Sequence, residues 1–397
     1  MGTEGVKERC QMQARLNCLR LRSLNSLRPH FSVPLIPSVP IFPVPIFPMD
    51  QRPFIDLGSD TKSRPTAAMR QAMANAACGD EAAFEDPTVN ALCERVAALL
   101  GKEAAVFMPS GTMCNQVALS VLGRRGDDVV CDESAHIVWY EVGGTAANAG
   151  LNALTIKGDR GRFSAEQLRA AQRLPRMRHS PRQTVLSIEQ TCNLAGGAVW
   201  SLAQIESVCA AARELGMKTH MDGARLLNAV VASGVDAARF AAPFDSVWID
   251  FSKGLGAPVG AALAGCKDFI AECWYVKQRF GGAMRQAGII AAGALYALDH
   301  HIERLAEDHA NARRLAEGLA QIAGIGLDPD EVETNLVYFE LDPARGTDGA
   351  AFCKALLARG VRMVALGPYR VRAVTHLDVS SADIDTTIAA VRMLQAA

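Results

Sequence analysis

"FDSVWIDFSKGLGAPVG", residues 244–260, joins an apolar alternating run to a single lysine and a glycine-rich tail. Val247, Trp248, Ile249 and Phe251 read as a buried strand, and Lys253 stands at its carboxyl end. An ammonium group is costly to desolvate there, so its position calls for a use. The same rhythm extends outward. "AAVFMPSGTMCNQVALSVL" reads as strand, tight turn and helix. "GDDVVCDESAH", "NALTIKG", "TVLSIEQT" and "MKTHMDGAR" are short strand candidates, with helices such as "LAQIESVCAAARELG" between them. That alternation predicts an α/β fold, a mostly parallel sheet covered by helices on both faces. After about residue 296 the pattern changes. "IERLAEDHANARRLAEGLAQI" places Leu305, Ala312, Leu315 and Leu319 on one helical face, and "NLVYFEL", "RMVAL" and "YRVRAVTHLDV" suggest a small sheet. The expected organisation is a large domain over residues 54–295 and a smaller C-terminal α+β domain over 296–397.

Residues 1–53 differ in composition. Arg15, Arg20, Arg22 and Arg28 occur without an acid, and six prolines follow between Pro34 and Pro48. Such proline density opposes helix and sheet ladder alike, so the segment reads as a disordered extension, with a transit peptide as the alternative. The whole chain has 397 residues, 49% of them hydrophobic, enough for a large core. A formal charge of -1 gives no electrostatic reason to expect nucleic acid or an acidic membrane as partner. No apolar run is long enough to span a bilayer. The 11 cysteines include no CxxC pair, which favours a reduced, cytoplasmic compartment over a disulfide scaffold. No metal site is expected.

Ligands of α/β sheets bind outside the carboxyl ends of the strands. Four motifs fall at such ends. "PSGT", Pro109 to Thr112, turns a strand into a helix, and small residues there let backbone N–H groups approach an anion. Taken alone it is also an ordinary N-cap. Asp222 closes the strand of "HMDGAR", Lys253 follows the strand quoted first, and His136 follows that of "GDDVVCDESAH". Each has a bland reading as a cap, an ion pair or a lysine whose stem lies along the surface. Together they fit pyridoxal 5'-phosphate. A lysine amine forms a Schiff base with its aldehyde, an aspartate keeps its pyridine nitrogen protonated, a helix N-terminus takes its phosphate, and a flat side chain covers its ring. A nucleotide-binding reading of "PSGT" fails, because no GxGxxG or GxxxxGK[ST] motif accompanies it.

"DLGSDTKSRPTAAMRQAMANA", "GDEAAFEDPTVNAL", "AHIVWYEVGGTA", "HMDGARLLNAVVASG", "SKGLGAPVGAALAG", "GGAMRQAGIIAAGALYAL" and "VRAVTHLDVS" occur in order over roughly residues 54–395. Over this span the chain resembles the low-specificity L-threonine aldolases of the β-eliminating lyase group. The resemblance implies a fold-type-I pyridoxal-phosphate enzyme, a carbon-carbon lyase that cleaves L-threonine or L-allo-threonine to glycine and acetaldehyde. It also implies a homotetramer with sites at subunit boundaries. Carried over by position, Lys253 is the Schiff-base lysine, Asp222 the partner of the ring nitrogen, Gly111 and Thr112 the phosphate turn, and His136 the stacking histidine. His179 corresponds to a second histidine near the β-hydroxyl. Ser59, Arg225 and Arg372 correspond to the residues that hold the substrate carboxylate, and Arg285 to one that reaches a phosphate, including that of a neighbouring subunit. His136 or His179 is then the expected base for the β-hydroxyl proton. Two departures bear on specificity. Ala83, followed by Phe84, stands where the family has a tyrosine, and "EQTCN" replaces "ENTHN", with Gln190 for asparagine and Cys192 for histidine. A less polar pocket is expected, accepting a larger β-substituent as in a phenylserine-type aldolase. A β-eliminating lyase and a non-catalytic cofactor-binding relative are the other readings.

Overall fold

The chain is described by a computed structural model over residues 54–173 and 178–396. The extension expected over residues 1–53 lies outside the described residues. In chain order the strands are β1 (Ile55–Asp56), β2 (Ala104–Met108), β3 (Asp128–Asp132), β4 (Asn152–Ile156), β5 (Gln183–Glu189), β6 (Lys218–Gly223), β7 (Ser246–Asp250), β8 (Ala261–Gly265), β9 (Ile325–Gly326), β10 (Leu336–Leu341), β11 (Val361–Arg362), β12 (Val364–Ala365) and β13 (Arg370–Val374). A seven-stranded sheet has the order β2-β8-β7-β6-β5-β3-β4. Its pairs from β7 to β4 are parallel, as the alternation of strands and helices predicts. Every residue of β3, β7 and β8 is buried, which requires cover on both faces.

One strand is invisible in the sequence. β8 reads "AALAG", and alanine and glycine are poor strand formers. It forms because it is inserted antiparallel between β2 and β7. Its small side chains let the helices Pro87–Leu100 and Gly111–Leu122 pack against it.

The C-terminal strands make a second, antiparallel sheet of order β12-β13-β10-β9. Leu315 and Leu319 from the helix Leu305–Ala320 pack into its core with Val337, Phe339 and Val371. Residue 296, the expected boundary, falls inside the continuous helix Gly288–His300, so the change of pattern comes after that helix. The first strand also departs from the expected division. β1 pairs in parallel with β11, and Leu57 belongs to the second core.

Strand alternation in β6 and β7 sets up the site. Met221, Val247 and Ile249 enter the largest core, while Trp248 enters another with the helix Gly111–Leu122. With a period of two, His220 and Asp222 face the side opposite Met221, and register pairs them with Ser246 and Trp248. The two strands approach closely at Gly223, where an added Cβ would lie 2.0 Å from the Trp248 carbonyl oxygen. Gly223→Ala should therefore force β6 from β7 beside Asp222 and destabilise the protein by about 1–3 kcal/mol. The check is a lower urea midpoint at unchanged slope; a wild-type midpoint would contradict this close-packing account.

Candidate active site

Asp222, next to last in β6, has its carboxylate buried. Oδ2 accepts from Asn115 Nδ2 at 2.8 Å, and Oδ1 from the Ala224 amide at 3.1 Å. Asn115 comes from the first turns of the helix Gly111–Leu122, which Ser110 caps by accepting from the Met113 amide. The same Asn115 Nδ2 donates to Glu141 Oε1 at 2.7 Å, and that oxygen lies 3.0 Å from His136 Nδ1. His136 opens the short helix after β3, and its backbone N–H donates to Glu189 Oε2 at 2.8 Å. Burial disfavours the His136 cation, but the Glu141 hydrogen bond and the Asp222 and Glu189 charges outweigh it and raise its pKa. Burial, then the Asp222 charge, pushes the Glu189 carboxyl up. On the same sheet face His220 is held neutral, its pKa lowered to about 4 by burial. It bonds Ser246 Oγ at 2.7 Å and Asn115 Oδ1 at 3.0 Å.

Lys253 follows β7, the neighbour of β6, so its amine and Asp222 share one end of the sheet. Nζ lies 3.2 Å from Asp250 Oδ2 and 5.7 Å from the centre of the Trp248 ring. The Lys253 carbonyl accepts from the Ser63 hydroxyl at 2.7 Å. In the turn from β2 into the helix Gly111–Leu122, an added Cβ on Gly111 would lie 2.2 Å from the Trp248 ring, so only glycine lets the helix start there. The amides of Gly111 and Thr112 are the first of their helix and make no hydrogen bond among the described residues. A concavity of about 320 Å³, lined by Ser110, Thr112, Gln116, Asn148 and neighbours, opens beside them. Free helical amides, a buried carboxylate and a lysine amine at one strand edge fit pyridoxal phosphate.

Ser59, Arg225 and Arg372 converge on one short segment. Arg225 begins the helix after β6, and its Nε and Nη2 donate to Asp60 at 2.7 and 2.8 Å. Burial opposes the Asp60 charge, but the Arg225 guanidinium holds that carboxyl far below the usual range. The fork of Arg225 is thus already engaged, leaving Nη1 without a hydrogen bond among the described residues. Arg372, on β13, donates from Nη2 to the Gly58 carbonyl at 3.1 Å, and its buried Nε makes no hydrogen bond among the described residues. Ser59 lies between Gly58 and Asp60, its hydroxyl capping the turn Asp60–Lys62.

Two predicted residues stand apart. His179 lies in an exposed turn before β5, and none of its bonds among the described residues reaches Lys253, Asp222 or His136. Arg285 is exposed and pairs with Asp80 at 3.2 Å. The two departures are placed differently from each other. Ala83 is exposed in the turn Glu81–Ala83. Cys192 is buried in the largest core, its Sγ 3.4 Å from the Glu189 carbonyl and 3.5 Å from that of Gly161. It lines a small cavity together with Glu189, Asp132 and Ser134. Asn115, Glu141, Glu189 and Asp60 were not legible as site residues. Their only sequence signal is position, Asn115 one turn beyond "PSGT" and Asp60 beside Ser59, and polar residues at such places are commonplace.

Residues 56–342 match the beta-eliminating lyase family. A probable low-specificity L-threonine aldolase 2 of Arabidopsis thaliana is 39% identical over 336 residues, covering 83% of this chain and 94% of its own length. The low specificity L-threonine aldolase of Escherichia coli K12 is 39% identical over 327 residues, covering 82% and 95%. The threonine aldolase structure from Leishmania major superposes with a TM-score of 0.74 at 19% identity, over 86% of this chain and 99% of that one, a likeness of fold. With a fold-type-I architecture and this degree of identity, the chain belongs to the beta-eliminating lyase family, beside its low-specificity L-threonine aldolases.

Proposed function

We propose that this protein cleaves L-threonine, L-allo-threonine and related β-hydroxy-α-amino acids to glycine and an aldehyde, using pyridoxal 5'-phosphate. The observation that carries this reading is the placement of Lys253, Asp222 and His136 at one sheet edge in a chain so similar to threonine aldolases. The cofactor, when bound, supplies a ring that accepts the electron pair released at the substrate Cα. Lys253 is the amine that would hold it, Asp222 the carboxylate for its ring nitrogen, and the Gly111 and Thr112 amides the donors for its phosphate.

Arg372, Ser59 and the remaining Nη1 of Arg225 would fix the substrate carboxylate. Fixing the carboxylate orients the Cα–Cβ bond, an entropic and geometric contribution to rate. The β-hydroxyl proton needs a base. His136 directs Nδ1 at Glu141, while its Nε2 makes no hydrogen bond among the described residues. Nε2 is therefore the atom suited to take the proton, with Glu141 orienting the ring and stabilising its cation. We assign His179 and Arg285, both on exposed surface, to a subunit boundary of a homotetramer. Nine free cysteines among the described residues accord with a reducing, cytoplasmic setting, where the reaction would form glycine from threonine. Ala83 and Cys192, in place of polar side chains, support acceptance of a larger, less polar β-substituent such as that of phenylserine.

Product identity tests the reaction. Glycine and acetaldehyde should form in equal amounts from L-threonine; ammonia and a 2-oxo acid as main products would establish β-elimination instead. Lys253→Ala should fold, lose borohydride-trapped cofactor and lose activity, whereas trapping at another lysine would remove Lys253 from its role. His136→Ala should lower kcat about 10²–10⁴-fold. The pH profile has a definite sign. The base must be neutral, and its pKa is raised above the ordinary 6.5, so kcat/KM should rise with pH through a midpoint above that value. Glu141→Gln should move this limb to lower pH, and an unmoved limb would exclude the pairing.

A further inference from the structure

Asn115 is fully buried and uses its whole hydrogen-bonding capacity. Oδ1 accepts from Trp248 Nε1 at 2.6 Å and from His220 Nε2 at 3.0 Å. Nδ2 donates to Asp222 Oδ2 at 2.8 Å and to Glu141 Oε1 at 2.7 Å. A side-chain amide offers two acceptor sites and two N–H groups, so none is left over. Its direction is determined from both ends. An indole N–H only donates, and an ionised carboxylate only accepts. The amide therefore has one orientation, His220 must carry its proton on Nε2, and the Ser246 hydroxyl donates to His220 Nδ1. One side-chain O or N atom from each of Asp222, Glu141 and His136 lies within 4.8 Å of the other two. Two carboxylates so close repel, and each N–H of Asn115 answers one of them.

We infer that Asn115 is a positioning residue that sets Asp222 and, through Glu141, His136, with Trp248 fixing its orientation. The inference rests on the cofactor reading of the site. One amide then governs both the group for the ring nitrogen and the group for the ring face. Trp248 acts on the chemistry through Asn115, not by contact with substrate.

The test compares Asn115→Ala, Trp248→Phe and the double variant with wild type. Apoprotein affinity for pyridoxal phosphate is measured by equilibrium dialysis, and kcat on L-threonine is normalised to borohydride-trapped cofactor. Asn115→Ala should weaken cofactor affinity and lower normalised kcat, each about 10–100-fold, with KM within about threefold of wild type. Trp248→Phe should lower both by up to about tenfold, and the double variant should be no worse than Asn115→Ala alone. A purely structural role would cut the yield of folded protein and leave normalised kcat and affinity unchanged. That result, or effects of the two substitutions that multiply, would overturn the inference. Should Asn115→Ala not fold, Trp248→Phe decides alone, and wild-type affinity and kcat in that variant overturn it. A wild-type protein that neither binds pyridoxal phosphate nor cleaves threonine would instead remove the functional reading on which this rests.

Discussion

The burial of the Asp222 carboxylate is the constraint around which the site is built. An ionised carboxylate is tolerated away from water only when donors meet it. Here the donors are Asn115 Nδ2 and the Ala224 amide. Bringing Asn115 to Asp222 requires the helix Gly111–Leu122 to lie against β6 and β7. That approach leaves no room for a side chain at Gly111, whose added Cβ would strike the Trp248 ring. The same helix start presents the free amides of Gly111 and Thr112. One charge, one close contact and one helix N-terminus are thus consequences of a single packing arrangement.

A second buried pair closes the chain on itself. Asp60 and Arg225 meet in a two-bond fork, and Asn335 Nδ2 adds a third donor to Asp60 at 3.1 Å. Removing one partner of such a pair leaves the other charge stranded, at about 3–5 kcal/mol. The pair ties the segment after β1 to the large sheet, while β1 itself pairs with β11. Ser59 is held between them, and Arg372 reaches the neighbouring Gly58 carbonyl from β13. Residues from the start, middle and end of the described chain meet at this segment.

The two histidines near Asp222 show how surroundings decide chemistry. His220 is enclosed by the Asn115 amide and the Ser246 hydroxyl, and burial keeps it neutral. His136 is also partly buried, but the Glu141, Asp222 and Glu189 carboxylates reverse that effect. One is a fixed neutral link in a hydrogen-bond chain, and the other has its cation favoured by the carboxylates around it.

The α/β class, most strands of the large sheet, and the placing of Lys253, Asp222, His136, Gly111 and Thr112 at strand ends as a candidate site were legible in the sequence. Each strand carries its own apolar run, and each residue stands at a strand end where ligands bind. Local patterning could not reveal β8, because alanine becomes a strand there only through its neighbours. Nor could it place Cys192, whose burial behind Glu189 depends on the Gly161 turn packing against it. Resemblance supplied His179 and Arg285, and a single chain leaves both on its surface. Asn115, Glu141 and Asp60 acquire meaning only in three dimensions. A motif records which residues follow one another, whereas a buried charge is satisfied by groups from distant segments, and only tertiary packing brings those groups within hydrogen-bond reach.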